Sequence, residues 1–550
     1  MKLTNRIFIS VLLLTSLHAA AAQETHQHKH EMSEQVGRVN FKISCSAKTQ
    51  NQFNRAVAWL HSFEYEAAER EFTQIATADP QCGMAYWGIA MSNYHPLWAP
   101  PTPDELKKGA SAVERANVAG AQTERERNYI AAITIFFKDA DRVDHRTRST
   151  AYSEAMKRLY EQNQTDHETA VFYALSLIAA GMMTPDKTYA KEKEAAQILN
   201  RVLASEPQHP GVTHYLIHSY DYPALAELAL PAARSYAKIA PASAHAQHMP
   251  SHIFTRLGLW QEAIKSNIDA RASAIAFATK HKMSGAYDEQ LHAMDYLAYA
   301  YLQGAQDKQA WEVLQELNKI RQVDPPSFKV AYAFAAIPAR YALERRQWAE
   351  AAKLSLQPGT VTNLSWDNFR WAEAYLHLAR AVGSARTGDT TTARAEVEQL
   401  KAIHQQLLEV KSGYDWAKQV EIQGKIAEAW LAFAEKKSDD AIAAMRAAAD
   451  LDDATEKHPV TPGSVLPARE QLGELLIELK QPREALREFE ISFRNAPNRF
   501  NGWYGAARAA RLADDQKTAR MYYTRLIELC AHSDTSRPEL EEAKKFVARK

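Results

Sequence analysis

Three alanines, Ala195, Ala229 and Ala263, stand 34 residues apart, and Ala485 and Ala519 repeat the interval near the far end of the chain. This period constrains the fold more than any single motif. It is the length of one helix–turn–helix hairpin, a unit that cannot cover its own apolar face and must stack on copies of itself. Small and aromatic residues recur around these alanines where one helix approaches the next: Ala68 with Phe72 and Pro80, Ala195 with Pro207, Ala229 with Pro241, and Ala485 with Phe489 and Pro497. Weaker units centre on Ala310, Ala351, Ala393 and Ala441, whose spacings of 41 to 48 residues imply longer helices or inserted loops. With only 19 glycines and 22 prolines in 550 residues, and long Ala, Leu, Glu, Lys and Arg runs of 3.6-residue period, the chain reads as all-α.

The offsets resemble the tetratricopeptide repeat family, from about Phe53 to Leu529. The resemblance implies a right-handed superhelical solenoid of about nine to eleven hairpins with a concave groove. Three stretches, HAQHMPSHIFTRLG (245–258), DPQCGMAYWGIAM (79–91) and VTPGSVLPARE (460–470), are similar to motifs of exported bacterial proteins of that family, a group without a settled activity. Such a fold is nearly silent on function.

The chain opens with Lys2 and Arg6, an apolar run from Ile7 to Leu17 and the small residues Ala19–Ala22, the pattern of a secretory signal peptide cleaved after Ala22. The run is too short to span a bilayer, and no later stretch reaches the roughly 20 apolar residues a membrane helix needs. We therefore expect an exported protein, periplasmic or secreted, without a membrane span. The expected division is a signal peptide (1–22), a histidine-containing flexible leader (23–40) that includes the tract His26–His30, an N-terminal solenoid with a histidine-rich groove (41–320) and a C-terminal solenoid (321–550). Export also makes a disulfide between Cys45 and Cys82, which flank one hairpin, the expected pairing, leaving Cys530 free. Basic and acidic residues balance at 66 each, which argues against nucleic acid as a partner.

Two proline-rich segments, 95–103 and 456–467, interrupt the repeats as loops, and the first brings His95 and Trp98, the second His458, with Arg469 just beyond it, to candidate groove positions. No nucleophile elbow, phosphate loop, dinucleotide fingerprint or His-Glu-x-x-His run occurs, which leaves the histidines. His214 and His218 share one helical face, and His248 and His252 repeat that spacing 34 residues later. In the resembled family the second, fifth, ninth, twelfth and thirteenth positions of each first helix face the groove. Counting back from Ala229, Ala263 and Ala310 places the two pairs at fifth and ninth positions, with Asp295 and Tyr299 their counterparts in the third unit. The same count puts His245 and His292 at second positions, and Asp221, Tyr222 and Arg256 at the twelfth or thirteenth. Pro250 interrupts the second pair, so that pair's equivalence to the first is a hypothesis.

Two functions fit these residues. In the first, the groove binds a peptide, protein or small molecule, with His245, Asp221, Tyr222, Arg256, His292, Asp295 and Tyr299 as polar contacts. In the second, His214, His218, His248 and His252 meet at one divalent transition metal, copper, zinc or iron, with His245, Asp221 and His292 behind them. An open position on that ion would make the protein an oxidase, oxygenase or hydrolase.

Overall fold

The structure, a computed structural model, describes residues 35–98, 100–355, 361–410 and 413–549. The expected signal peptide and the His26–His30 tract lie outside the described residues. Helix starts follow local chemistry. Thr102 and Thr123 exchange hydrogen bonds with Glu105 and Glu126 as reciprocal caps, and Asp144, Asp166, Asp389, Asp415 and Asp515 accept first-turn N–H groups. The alanines of the repeat, Ala68, Ala195, Ala229, Ala263, Ala485 and Ala519, are fully buried, as close helix approach requires. Phe489 shows why the gap residues are aromatic and their neighbours small: a Cβ at Gly505 or Gly473 would lie 2.2 or 2.7 Å from its ring.

The result is an all-α solenoid of helical hairpins, from Gln50–His61 with Tyr65–Ala78 to Phe500–Leu512 with Gln516–Leu529, closed by the single helix Pro538–Ala548. Twelve hairpins occur among the described residues, one more than the sequence led us to expect. The hairpin of Phe328–Leu343 has a second helix of only Trp348–Ala351. A two-residue parallel bridge, Ala286–Tyr287 with Val323–Asp324, is the only sheet among the described residues. Cys45 and Cys82 are bonded, with Cα atoms 5.1 Å apart, and Cys530 is a buried free thiol.

The array curls until distant hairpins touch. Trp260 Nε1 donates to the Asn498 carbonyl at 2.6 Å, Arg499 Nη1 to the Tyr299 hydroxyl at 2.6 Å and the Phe500 N–H to Gln303 at 3.0 Å. Contacts therefore continue across residue 320, and all described residues belong to one compact unit, Met32–Lys550. The segment 456–467 does not hang outside this ring but fills its centre as a strap. Tyr296 donates to the Val460 carbonyl at 3.0 Å, Arg340 donates to the carbonyls of Gly463 and Ser464, and Lys457 pairs with Asp221 at 3.5 Å. His458 is held on the strap against Trp416, Tyr414 and Phe328.

Candidate metal centre

The helix Pro210–Tyr220 begins at a proline whose missing N–H costs nothing there, and its N-cap His209 accepts the Val212 N–H. It presents His214 and His218 one turn apart. Pro250 splits the next first helix into Ala244–His248 and Pro250–Arg256, so His248 ends one piece while His252 lies in the other. His292 comes from Asp288–Gln303.

The four histidines expected to meet at one ion do not come to one point. They form two sets of three, His214 with His218 and His245, and His248 with His252 and His292, in each of which the three ligand atoms lie within 4.8 Å of one another. The reason is the rise of the solenoid. One repeat carries the second pair past the first, and each pair is completed by the second-position histidine of the following first helix. None of the six residues is more than 7% exposed.

In the first set His214 Nε2 lies 3.0 Å from His218 Nε2 and 3.2 Å from His245 Nε2. His214 Nδ1 donates to the His61 carbonyl at 2.6 Å, which leaves its Nε2 as a lone pair facing the other two rings. In the second set His248 Nδ1 donates to Asn267 Oδ1 at 2.7 Å; the Asn267 amide is itself oriented by its N–H bond to the Ala263 carbonyl. His252 Nδ1 donates to Asp221 Oδ2 at 3.1 Å, and Arg256 donates to the other oxygen at 2.8 Å. Burial pushes the Asp221 carboxyl up, but Lys457, Arg256 and His252 draw it well below its usual range, so it is ionised. Both Nδ1 protons of this set are therefore spent, and the Nε2 lone pairs of His248 and His252 face each other at 3.1 Å. The Tyr296 hydroxyl, whose oxygen lies 3.4 Å from His252 Nε2, donates its hydrogen bond to the Val460 carbonyl and so turns a third acceptor towards the pair.

A proton between the two nitrogens is disfavoured. Burial lowers all six imidazoles, His214 to about 3, and neighbouring imidazoles lower His218, His245, His248 and His292 further, whereas Asp221 draws His252 partly back. Converging lone pairs without a proton, with His214, His248 and His252 fixed from behind by a carbonyl, an amide and a carboxylate, form a donor set that fits a metal cation.

A third buried cluster makes the contrast. His61 Nε2 and His209 Nε2 each lie 3.0 Å from Glu168, while His61 Nδ1 meets the Tyr215 hydroxyl at 2.9 Å and His209 Nδ1 takes the Val212 N–H. Every ring nitrogen there has a complementary partner, so hydrogen bonding alone accounts for it. It sits behind the first set, since the carbonyl that holds His214 is that of His61.

Of the other sequence candidates, Asp221 and Arg256 back the second set. Tyr222 packs on Tyr189 with its hydroxyl 3.5 Å from Glu192, Asp295 lies 3.8 Å from Arg340, and Tyr299 is held by Arg499; none of the three joins either set. Trp98 packs over His218 and His245 with ring centres 5.4 and 6.2 Å away, beside Phe63, 4.4 Å from His214. His95 stacks on Tyr65 instead, and Arg469 pairs with Asp450, Asp453 and Glu488. Beside the strap a cavity of about 100 Å³ remains, lined in part by Thr255, Arg256, Trp260, Tyr299 and Gly463. The sequence reading missed Asn267, Tyr296, Phe63 and the Glu168 cluster.

No protein-family model and no curated protein matches the chain. Among solved structures, a human IFIT1 dimer with PPP-AAAA aligns over 86% of this chain and 95% of its own at 12% identity and a TM-score of 0.37. The Cut9–Hcn1 hetero-tetramer of APC/C aligns over 90% and 89% at 11% identity and a TM-score of 0.31. At these TM-scores the likeness carries no weight for the site or for what the chain binds. The chain's own geometry defines a class, an all-α hairpin solenoid with two buried three-histidine sets at its centre.

Proposed function

We propose that the chain is an exported metalloprotein that holds two divalent transition-metal ions, one in each three-histidine set. The observation that carries this is the pair of Nε2 lone pairs on His248 and His252, 3.1 Å apart, with both Nδ1 protons already committed to Asn267 and Asp221. At metal–nitrogen bonds of about 2.0–2.1 Å, nitrogens 3.0–3.2 Å apart subtend roughly 90–105° at an ion, between octahedral and tetrahedral values. Three neutral imidazoles without a thiolate suit copper, zinc or iron. A set of three leaves a position open, as catalytic rather than purely structural sites do, and the ion supplies Lewis acidity or electron transfer there. The class of reaction this supports is metal-dependent oxidation, oxygenation or hydrolysis of a small molecule. The protein's part is to fix six donors, to exclude water with Phe63, Trp98, Tyr296 and the strap, and to hold His252 through Asp221.

A peptide in the groove is the weaker reading, because the strap occupies the centre and the cavity beside it measures only about 100 Å³. The test is elemental analysis of the chain carrying His26→Ala, His28→Ala and His30→Ala, which removes the leader tract as a source of metal. About two ions per chain are expected, falling to none when His214→Ala and His252→Ala, one in each set, are added. A chain that stays metal-free after exposure to copper, zinc and iron overturns the proposal.

A further inference from the structure

The two sets are neighbours, and their spacing has a chemical consequence. His245 and His248 are three residues apart on one short helix, yet each belongs to a different set. On the other side His218 of the first set faces His252 of the second with ring centres 6.5 Å apart. Within a set the corresponding distances are 4.8 Å for His214–His218 and 5.0 Å for both His214–His245 and His248–His252. The step from one set to the next is thus close to the widest separation of rings that share a site, 6.2 Å for His252–His292.

The charges around the sets point the same way. Among the described residues no carboxylate oxygen joins either set. Asp221 lies on the Nδ1 side of His252, and Glu289 lies 4.0 Å from Nδ1 of His245. The acidic groups therefore back the rings from outside, while the groups that converge are imidazoles, which ligate a metal as neutral donors. Two cations held by six neutral donors in a water-poor interior repel each other, and no protein anion is placed to bridge them, as a carboxylate does in many two-metal sites.

We propose that the two three-histidine sets act as one dinuclear centre that binds a single small inorganic anion shared between its ions. This rests on the metal-holding reading above and adds two claims, that the ions are coupled and that the bridge comes from solution. Phe63 and Trp98 cover the sets on one side and Tyr296 on the other.

The experiment uses the full-length chain with the three leader histidines replaced, loaded with Cu(II), with total copper measured by elemental analysis and paramagnetic copper by integrated EPR. The expected result is about two coppers per chain with an integrated signal far below the copper content, and saturation by azide, the probe anion, at one per two coppers. His292→Ala, which disables one set, should leave one copper per chain with a full-intensity signal. Two coppers that give full intensity and bind azide independently overturn the dinuclear proposal while leaving the metal sites standing. A chain that takes up no copper fails at the earlier step instead.

Discussion

Asp221 is the residue on which stability and metal binding are most tightly joined. Its carboxylate accepts from His252 at 3.1 Å and Arg256 at 2.8 Å and pairs with Lys457 at 3.5 Å, all with side chains about a tenth exposed or less. Asp221→Asn keeps the shape and removes the charge. Arg256 and Lys457 are then left with Glu456, 3.8 Å from Arg256, as the nearest counter-charge, and that side chain is 31% exposed. Removing one partner of a buried ion pair costs about 3–5 kcal/mol, which should appear as a lower urea midpoint of the metal-free chain. His252 at the same time loses the charged acceptor that fixes its tautomer. Changes of this kind cost about 10–100-fold in metal affinity, or ~1.4–2.7 kcal/mol, measured by chelator competition. The loss should fall on one of the two ions only. Arg256→Gln serves as the control, since it disturbs the ion pair but leaves the His252–Asp221 bond, and so should lower the urea midpoint with little change in affinity. If Asp221→Asn weakens folding but both ions bind as tightly as before, the carboxylate is only structural and the tautomer argument for the second set is wrong.

Asn267→Ala should likewise weaken one ion by about 10–100-fold in the same competition, because His248 Nδ1 then loses the amide oxygen that holds it. Glu168→Gln should leave the metal stoichiometry at two by elemental analysis, since the His61–Glu168–His209 cluster is satisfied by hydrogen bonds; a lost ion would make that cluster part of the site. His458 is lowered to about 3 by burial and by Lys457, against an ordinary value near 6.5 in the unfolded chain, so its contribution is present above about pH 6.5 and is lost as pH falls towards 3. From pH 7 to pH 5 that amounts to about 2 kcal/mol, by which the acid sensitivity of the urea midpoint should shrink in His458→Gln. Thiol titration of the denatured, unreduced chain should find one free thiol, and Cys45→Ser with Cys82→Ser should cost about 3–4 kcal/mol for a loop of 37 residues.

The fold was legible because a 34-residue period leaves physical marks: every alanine read as a helix-approach position from Ala68 to Ala519 is buried, and the helices end near the prolines at 80, 207, 241 and 497. The two proline-rich interruptions were legible as loops for the same local reason. Their destinations were not. The strap's bonds to Tyr296, Arg340 and Asp221 join residues more than 120 positions apart, and the ring contacts of Trp260 and Arg499 span 238 and 200, so no local pattern encodes them. An expected open groove was filled because curvature accumulated over many hairpins brought the C-terminal insertion back to the centre.

At the site, residue types were legible and their grouping was not. The fifth and ninth positions were identified by counting back from the repeat alanines, yet whether two such pairs share one ion depends on the rise from one hairpin to the next, which composition does not specify. His245 and His292, read as supporting groups, take full places because a second-position side chain on the following helix reaches back to the pair before it. Pro250 bears on this directly. By ending one helical piece at His248 and starting another, it puts His252 on a piece of its own, while His245 and His248, three residues apart on the first piece, serve different sets. The protons that decide the chemistry lie further from the sequence still. That His248 and His252 point lone pairs at each other follows only from Asn267, Ala263, Asp221 and Val460, four partners drawn from two hairpins and a strap, each of which closes off one alternative to a cation.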